Sequence, residues 1–242
     1  MKHLIWAHRG ASGVLPENTL PAFAKAAEMK ADGVELDIQY TKDGKIVVVH
    51  DEGLGRTAAG EGWIKDYTFQ EFREMNFNLT HPEYGYVQIP LMEEVFDLLK
   101  DTSLSINIEL KTSIFDYEGI EKEIVDMVKM KGFEDRVIYS SFNHYSVMRL
   151  KEIDPKAKTA FLYMDTPIDI VSYAKKYHVD AIHPALYNVR IPGVMKECKE
   201  AGIAVNVWTA NNDMEFGICD LAQVDAVITN YPDRARAFFE RD

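Results

Sequence analysis

Acidic side chains occupy alternate positions in two otherwise apolar segments of the chain, residues 33–38 and 105–111. Side chains two residues apart on a β-strand share a face, so Glu35 and Asp37 point the same way. Charged groups in an apolar strand are costly to bury unless they are paired or bind a metal ion. Carboxylate oxygens are ligands that Mg²⁺ and Ca²⁺ prefer. The spacing therefore favours one divalent metal ion held by Glu35, Asp37 and Glu109, with a surface-edge strand or a salt-bridge cluster as the alternatives.

Two histidines lie where apolar segments end. His8 follows the first apolar segment, and His50 closes a segment that returns from an Asp43-Gly44 turn. If that turn sets the pairing, facing residue numbers sum to about 85, which places His50 opposite Glu35. An imidazole with a pKa near 6.5 can be neutral or protonated at working pH, so the pair suits a general base and a general acid. The sequence does not decide which histidine is the base.

The cations nearest to these residues are Arg9 and Lys111. A guanidinium group matches phosphate oxygens with a fork of donors, and an ammonium group acts as a point charge, so both are candidates for binding a phosphate. Lys111 could equally balance the charge of Glu109. Trp208 ends another apolar segment and is a candidate wall of the pocket, with a core tryptophan as the alternative. The chain has no motif typical of dinucleotide, nucleoside triphosphate or esterase sites.

Nine apolar segments alternate with amphipathic ones, which is typical of βα units and a parallel sheet. Only the short Asp43-Gly44 turn joins the second and third, so the third must fold back antiparallel. Eight strands remain. We therefore predict an α/β fold, a TIM (β/α)₈ barrel with a β-hairpin at the rim and its active site at the carboxyl ends of the strands. The predicted strands are His3–Ala7, Val34–Tyr40, Lys45–Val49, Leu104–Leu110, Arg136–Ser140, Thr159–Tyr163, Asp180–His183, Ile203–Trp208 and Asp225–Thr229.

Residues 51–90 depart from this alternation. They contain several glycines and aromatic residues, and a stretch of this length in a compact domain is usually functional or has small elements of its own. We expect a small insertion over one side of the active-site rim, within a single domain spanning residues 1–242. A later apolar stripe at Met214, Ile218, Leu221 and Ala222 predicts a helix buried along that face.

Composition excludes several classes of partner. The 27 basic residues against 39 acidic ones give a net charge of −12, and an acidic surface repels nucleic acid. No apolar segment is long enough for a signal peptide or a membrane helix, so we expect a cytoplasmic protein without stable membrane association. Cys198 and Cys219 are expected to be buried thiols. Nothing in the sequence decides between a monomer and a homodimer.

Short motifs in a fixed order resemble the glycerophosphodiester phosphodiesterase family. They are His8-Arg9-Gly10, Pro16-Glu17-Asn18-Thr19, Glu35-Leu36-Asp37, His50-Asp51, Glu109-Leu110-Lys111, Val207-Trp208-Thr209 and Thr229-Asn230-Tyr231-Pro232. The resemblance covers nearly the whole chain. It implies a TIM barrel that uses one divalent metal ion, Mg²⁺ or Ca²⁺. The implied reaction hydrolyses glycerophosphodiesters, such as glycerophosphocholine or glycerophosphoethanolamine, to an alcohol and sn-glycerol 3-phosphate.

The resemblance also implies a role for each candidate residue. Glu35, Asp37 and Glu109 would be the metal ligands, His8 and His50 the acid and base, and Arg9 and Lys111 the phosphate-binding residues. The nucleophile is left open between water and the glycerol hydroxyl, which would form a cyclic phosphate. The head group and the choice of metal are open as well.

Three other functions deserve comparison. Lys111 could form a Schiff base, as in barrel aldolases, but the carboxylates and histidines would then have no role. A non-catalytic binder of phosphoesters would be expected to lack one of the charged residues. A phospholipase would need an exposed apolar rim, for which the insertion offers Trp63, Tyr67, Phe69, Phe72 and Phe77.

Overall fold

The computed structural model describes residues 3–241 and forms a closed barrel of eight parallel strands. The strands are β1 Leu4–His8, β2 Gly33–Tyr40, β3 Ile46–Val48, β4 Ser105–Leu110, β5 Val137–Ser141, β6 Thr159–Tyr163, β7 Ala181–Pro184, β8 Ala204–Val207 and β9 Ala226–Thr229. Strand β1 pairs with both β2 and β9, which closes the ring, and β3 lies antiparallel on β2. The predicted TIM barrel with its hairpin is confirmed, and every predicted strand end is within one residue of the observed one.

Helices connect the strands and cover the outside of the barrel. They are α1 Leu20–Glu28, α2 Phe69–Arg73, α3 Met92–Leu99, α4 Ile120–Lys131, α5 His144–Ile153, α6 Ile170–Lys176, α7 Val194–Ala201, α8 Asp213–Ala222 and α9 Pro232–Phe239. None of the helices within residues 3–241 is both long and apolar enough to cross a membrane. On β2, the buried Val34, Leu36 and Ile38 belong to the apolar core shared with helices, and the intervening acidic side chains alternate with them.

The hairpin register differs by one residue from the prediction. Gln39 pairs with Val47, so facing numbers sum to 86, and the ladder ends at Val48. The two strands are joined by a three-residue loop, 42–44, in which Gly44 has a φ of 71°. The expected position of His50 directly opposite Glu35 is therefore wrong. His50 instead lies beyond the ladder, where the Gln39 side chain donates to its carbonyl oxygen at 3.1 Å.

The insertion has its own small apolar core. Phe72 and Phe77 are buried, and Tyr67 and Phe69 pack against them. Of the five aromatic residues considered for a lipid-binding rim, only Trp63 is substantially exposed, at 47%. These residues therefore stabilise the insertion and do not form an exposed apolar rim.

The predicted buried face of helix α8 is confirmed at Ile218 and Ala222, which pack against the core, and is wrong at Met214 and Leu221. Met214 and Leu221 are 77% and 88% exposed, whereas Phe216 and Cys219 are buried. The two buried residues are three positions apart and therefore lie on one helical face. Cys198 and Cys219 are both buried free thiols, as predicted.

The loop after β1 is packed tightly around Gly10, which leaves no room for a side chain. The φ of Gly10 is 77°, and a Cβ atom there would lie 2.7 Å from the carbonyl carbon of Ala22. Gly44 has a similar φ of 71° but open space around it. We expect Gly10→Ala to lower the free energy of unfolding by about 3 kcal/mol and Gly44→Ala by only about 1 kcal/mol. Urea unfolding followed by circular dichroism measures both, and equal losses would contradict this packing.

Candidate active site

Three carboxylates meet at the carboxyl ends of β2 and β4. Asp37 faces Glu109 across the parallel pair, and Glu35 lies two residues earlier on the same face. One oxygen of each lies within 4.8 Å of the others, and all three side chains are buried. Strand β2 is flanked by β1 and β4, so the surface-edge alternative is wrong.

Burial and mutual repulsion control the charges of this acidic cluster. Burial and the neighbouring Asp37 and Glu109 carboxylates raise the pKa of Glu35 well above its usual range. Burial also raises the pKa of Glu109. Burial would raise the pKa of Asp37 too, but the neighbouring His50, Arg9 and Lys111 lower it to about 2. Of the three carboxyl groups, that of Glu35 is therefore the one most readily protonated when no cation is bound.

The cluster fits a hard divalent cation. The Oδ1 atom of Asp37 is buried and has no hydrogen-bond partner among residues 3–241. A buried carboxylate oxygen without a partner is costly, and a cation would remove that cost. Three carboxylates supply the oxygen donors that Mg²⁺ or Ca²⁺ takes, with water or substrate completing the coordination shell.

His8 ends β1 beside the cluster. Its Nδ1 is 2.7 Å from Asn230 Oδ1, and its Nε2 is 3.9 Å from Glu35 Oε2. Because the Asn230 oxygen only accepts, Nδ1 carries the proton and Nε2 keeps its lone pair. Burial, with the adjacent Arg9 charge, lowers the pKa of His8 to about 4. His8 is therefore a neutral imidazole at pH 7 that faces the cluster with an unprotonated nitrogen.

His50 faces the cluster from the other side. Its Nδ1 is 2.6 Å from Asp51 Oδ1, and its Nε2 is 3.2 Å from Lys111 Nζ. An ammonium group can only donate, so Nε2 accepts from Lys111 and Nδ1–H donates to Asp51. Burial would raise the pKa of Asp51, but His50 and Arg56 lower it more strongly. A charged carboxylate therefore orients this imidazole.

Both predicted cations are held by carboxylates of the site. The backbone N–H of Arg9 donates to Glu35 Oε2 at 3.0 Å, and its Nε is 3.5 Å from Asp37 Oδ2. Lys111 Nζ donates to Glu109 Oε1 at 3.0 Å. Burial would lower the pKa of Lys111, but the Glu109 and Asp37 charges raise it. A Schiff-base lysine needs the opposite shift, so this geometry does not favour an aldolase.

The sequence interpretation missed Arg56, which connects two motifs. Arg56 donates two hydrogen bonds to Glu17, both at 2.7 Å, and two to Asp51, at 2.6 and 3.0 Å. Glu17 in turn accepts from Arg9 at 2.9 Å. Glu17 and Asp51 lie within the quoted motifs, but Arg56 lies in the insertion, where no strand end or spacing marks it.

Trp208 lies in the wall of a cleft at the barrel mouth. Its Nε1 donates to the His183 carbonyl oxygen at 2.8 Å, and its ring meets the Phe142 ring edge-on with centroids 5.5 Å apart. Among the predicted site residues, those that line the same cleft are His8, Arg9, Glu35, His50, Glu109 and Trp208. Asp37 and Lys111 are linked to them through the contacts given above.

The lowered pKa of His8 predicts an acid-dependent loss of stability. Between pH 6.5 and about 4, the unfolded chain takes up a proton at this residue and the folded protein does not. The contribution of His8 to the free energy of unfolding therefore falls by up to ~3 kcal/mol as the pH decreases through this window, and this contribution is constant at higher pH. Nuclear magnetic resonance of metal-stripped protein should show His8 neutral at pH 5.5. A His8 signal that titrates near pH 6.5 would contradict the prediction.

A model described as the glycerophosphoryl diester phosphodiesterase family matches residues 8–234 of the chain. The chain is 40% identical over 234 residues to the glycerophosphodiester phosphodiesterase of Caldanaerobacter subterraneus subsp. tengcongensis, with 96% of each chain covered. It is also 40% identical over 237 residues to that of Bacillus altitudinis, again with 96% of each covered. The structure of an Oleispira antarctica phosphodiesterase in complex with the product sn-glycerol-3-phosphate superposes with a TM-score of 0.87 at 25% identity, covering 99% of this chain and 98% of the other.

Proposed function

Because the chain belongs to the glycerophosphoryl diester phosphodiesterase family, we propose that it hydrolyses glycerophosphodiesters to an alcohol and sn-glycerol 3-phosphate with one divalent metal ion. The observation that carries the proposal is the buried acidic cluster with His8 and His50 lining the same cleft. The activity named for the two relatives and the product complex of the Oleispira enzyme support the reaction class. Glycerophosphocholine and glycerophosphoethanolamine are the proposed substrates.

The metal site consists of Glu35, Asp37 and Glu109, which together suit Mg²⁺ or Ca²⁺. A bound divalent ion would polarise a phosphoryl oxygen and offset negative charge at the phosphate. Arg9 and Lys111 provide the remaining positive charge. Glu17 and Glu109 orient these two side chains, so little side-chain entropy is lost when the diester binds.

His8 is the proposed general base. Its Nε2 is unprotonated at neutral pH and takes the proton of the attacking oxygen, whether this belongs to water or to the glycerol hydroxyl of the substrate. The side-chain Oδ1 of Asn230 fixes the tautomer that this step requires. The imidazolium formed lies beside the Glu35 carboxylate, which compensates its charge.

His50 is the proposed general acid. The Asp51 carboxylate stabilises the imidazolium form of His50, as the carboxylate does in other hydrogen-bonded pairs of a carboxylate and a histidine. Protonation of Nε2 ends its contact with Lys111, so the ammonium group becomes available to the phosphate. His50 then gives its proton to the departing alkoxide.

Removal of either imidazole tests this division of roles. His8→Ala and His50→Ala should each lower kcat by about 10²- to 10⁴-fold while divalent metal binding survives. The assay measures sn-glycerol 3-phosphate released from glycerophosphocholine by metal-stripped protein supplied with Mg²⁺, Ca²⁺ or EDTA. His178→Asn, at an exposed histidine, is the control and should match the wild type. Near-normal turnover in either alanine variant, or full activity in EDTA, would reject the mechanism.

Metal binding should release a proton, because the raised pKa of Glu35 leaves this carboxyl protonated more readily without a cation. Calorimetry in buffers of different ionisation enthalpy measures the number of protons released.

Glu109→Gln should weaken the binding of the divalent ion at least tenfold, since it removes one of three charged ligands. The exposed Glu134→Gln is the matched control. Unchanged affinity in Glu109→Gln would show that the ion binds elsewhere.

A further inference from the structure

A second cleft opens beside the mouth of the barrel, at the loops that follow β5 and β6. Most of its wall is apolar, formed by Phe142, Leu162, Met164, Pro167, Ile168 and Ile170. Phe142 and Leu162 also line the mouth cleft that holds His8 and Glu35. The two clefts therefore share a wall, and a molecule whose phosphate lies at the mouth could extend into the second cleft.

The exposed surface of this second cleft is unusually apolar. Met164 and Ile168 are 53% and 90% exposed, and Phe142 is 37% exposed. Neighbouring exposed apolar side chains on one surface indicate a binding site more often than isolated ones do. Methionine also adapts its shape readily to different apolar ligands. Covering this surface would contribute about 25 cal/mol per Å² of apolar area removed from water.

The imidazole of His144 and the hydroxyl of Tyr173, two polar groups of the second cleft, bond to groups of the protein itself. His144 Nε2 lies 2.9 Å from the Leu162 carbonyl oxygen, and its Nδ1 lies 3.2 Å from the Tyr173 hydroxyl. The His144 ring also stacks on Phe161, with centroids 4.1 Å apart. These groups therefore offer little hydrogen bonding to a polar ligand.

Charge also argues against a polar or anionic occupant. Among the described residues that line the second cleft there is no lysine or arginine, and Asp165 is the one acidic residue. Asp165 is exposed to solvent, where an ion pair contributes little. A second phosphate would be repelled, and a cationic head group would gain little from this carboxylate.

We propose that the second cleft is a subsite for an alkyl group of the substrate, so that the enzyme also hydrolyses amphiphilic glycerophosphodiesters. This inference rests on the proposed function. The alkyl group belongs either to the departing alcohol or to an acyl chain on the glycerol, since both place apolar carbon a few bonds from the phosphate. The mouth holds the phosphate, and the alkyl subsite determines which diesters react fastest.

A series of glycerophosphate esters of ethanol, butanol, hexanol and octanol, used below their micelle concentrations, measures this preference. We expect kcat/KM to rise two- to fourfold per added methylene until the subsite is filled. A value of kcat/KM that does not depend on chain length would overturn the proposal. Failure to hydrolyse even the ethanol ester would instead reject the proposed function, so the two failures are distinguishable.

Two variants locate the effect in the alkyl subsite. Ile168→Ser and Met164→Ser should each reduce the gain per methylene, measured relative to the ethanol ester. Leu221→Ser is the matched control, because Leu221 is 88% exposed but lies on α8, away from the subsite. Its chain-length dependence should match the wild type. Equal losses in all three variants would overturn the assignment.

Two further substrates identify the group that is bound. Glycerophosphocholine is compared with its neutral 3,3-dimethylbutanol isostere, which we expect to react at least as fast. A clear preference for choline would overturn the proposal in favour of recognition of positive charge. The 1-hexanoyl derivative of the ethanol ester is compared with the hexanol ester. If Ile168→Ser lowers kcat/KM more for the hexanoyl compound, the subsite takes the acyl chain, and if it lowers kcat/KM more for the hexanol ester, the subsite takes the alcohol. An unchanged kcat/KM for both compounds contradicts the proposal.

Discussion

The repulsion among three buried carboxylates is the constraint around which the barrel mouth is organised. Two unit charges 4 Å apart repel by about 4 kcal/mol at an effective dielectric constant of 20, so Glu35, Asp37 and Glu109 cannot all be ionised without compensation. Arg9 and Lys111 supply part of it, and the raised pKa of Glu35 supplies another part. The remaining negative charge would attract the divalent cation proposed above. A feature that destabilises the metal-free protein would then become its means of binding the metal.

The compensating charges form a chain that ties the insertion to the barrel. Arg9 contacts Glu17, Glu17 contacts Arg56, and Arg56 contacts Asp51, which orients His50. Each ion pair would be weak if it were exposed alone, but a network of partly buried pairs holds its members in one arrangement. The aromatic core of the insertion thus has a role in the site, because it positions the loop that carries Arg56. The two histidines depend on different supports, an asparagine amide and a carboxylate, and this difference fits their proposed roles as base and acid.

Features that follow from the alternation of residues along a strand could be predicted from the sequence. Features that depend on the geometry of loops could not. The alternation of Glu35 and Asp37 with apolar residues determines which side chains face the barrel interior, because strand geometry has a period of two residues. The hairpin register depends on the length of the 42–44 loop, which the Asp43-Gly44 pair alone does not specify. Arg56 acts through contacts with Glu17, 39 positions earlier, and Asp51, 5 positions earlier, and no local spacing indicates these contacts.

The strand ends and the loops contribute different properties to the site. The proposed catalytic and metal-binding groups project from β1, β2 and β4 or lie just beyond the hairpin, where backbone hydrogen bonds fix their positions. The second cleft is formed by residues after β5 and β6, where exposed side chains such as Met164 and Ile168 contribute little to the core. Loop residues can therefore be exchanged with less cost to folding than the buried cluster can. Phe142 and Leu162 are the exception, since they border both clefts, and a change at either would alter chemistry and substrate preference together.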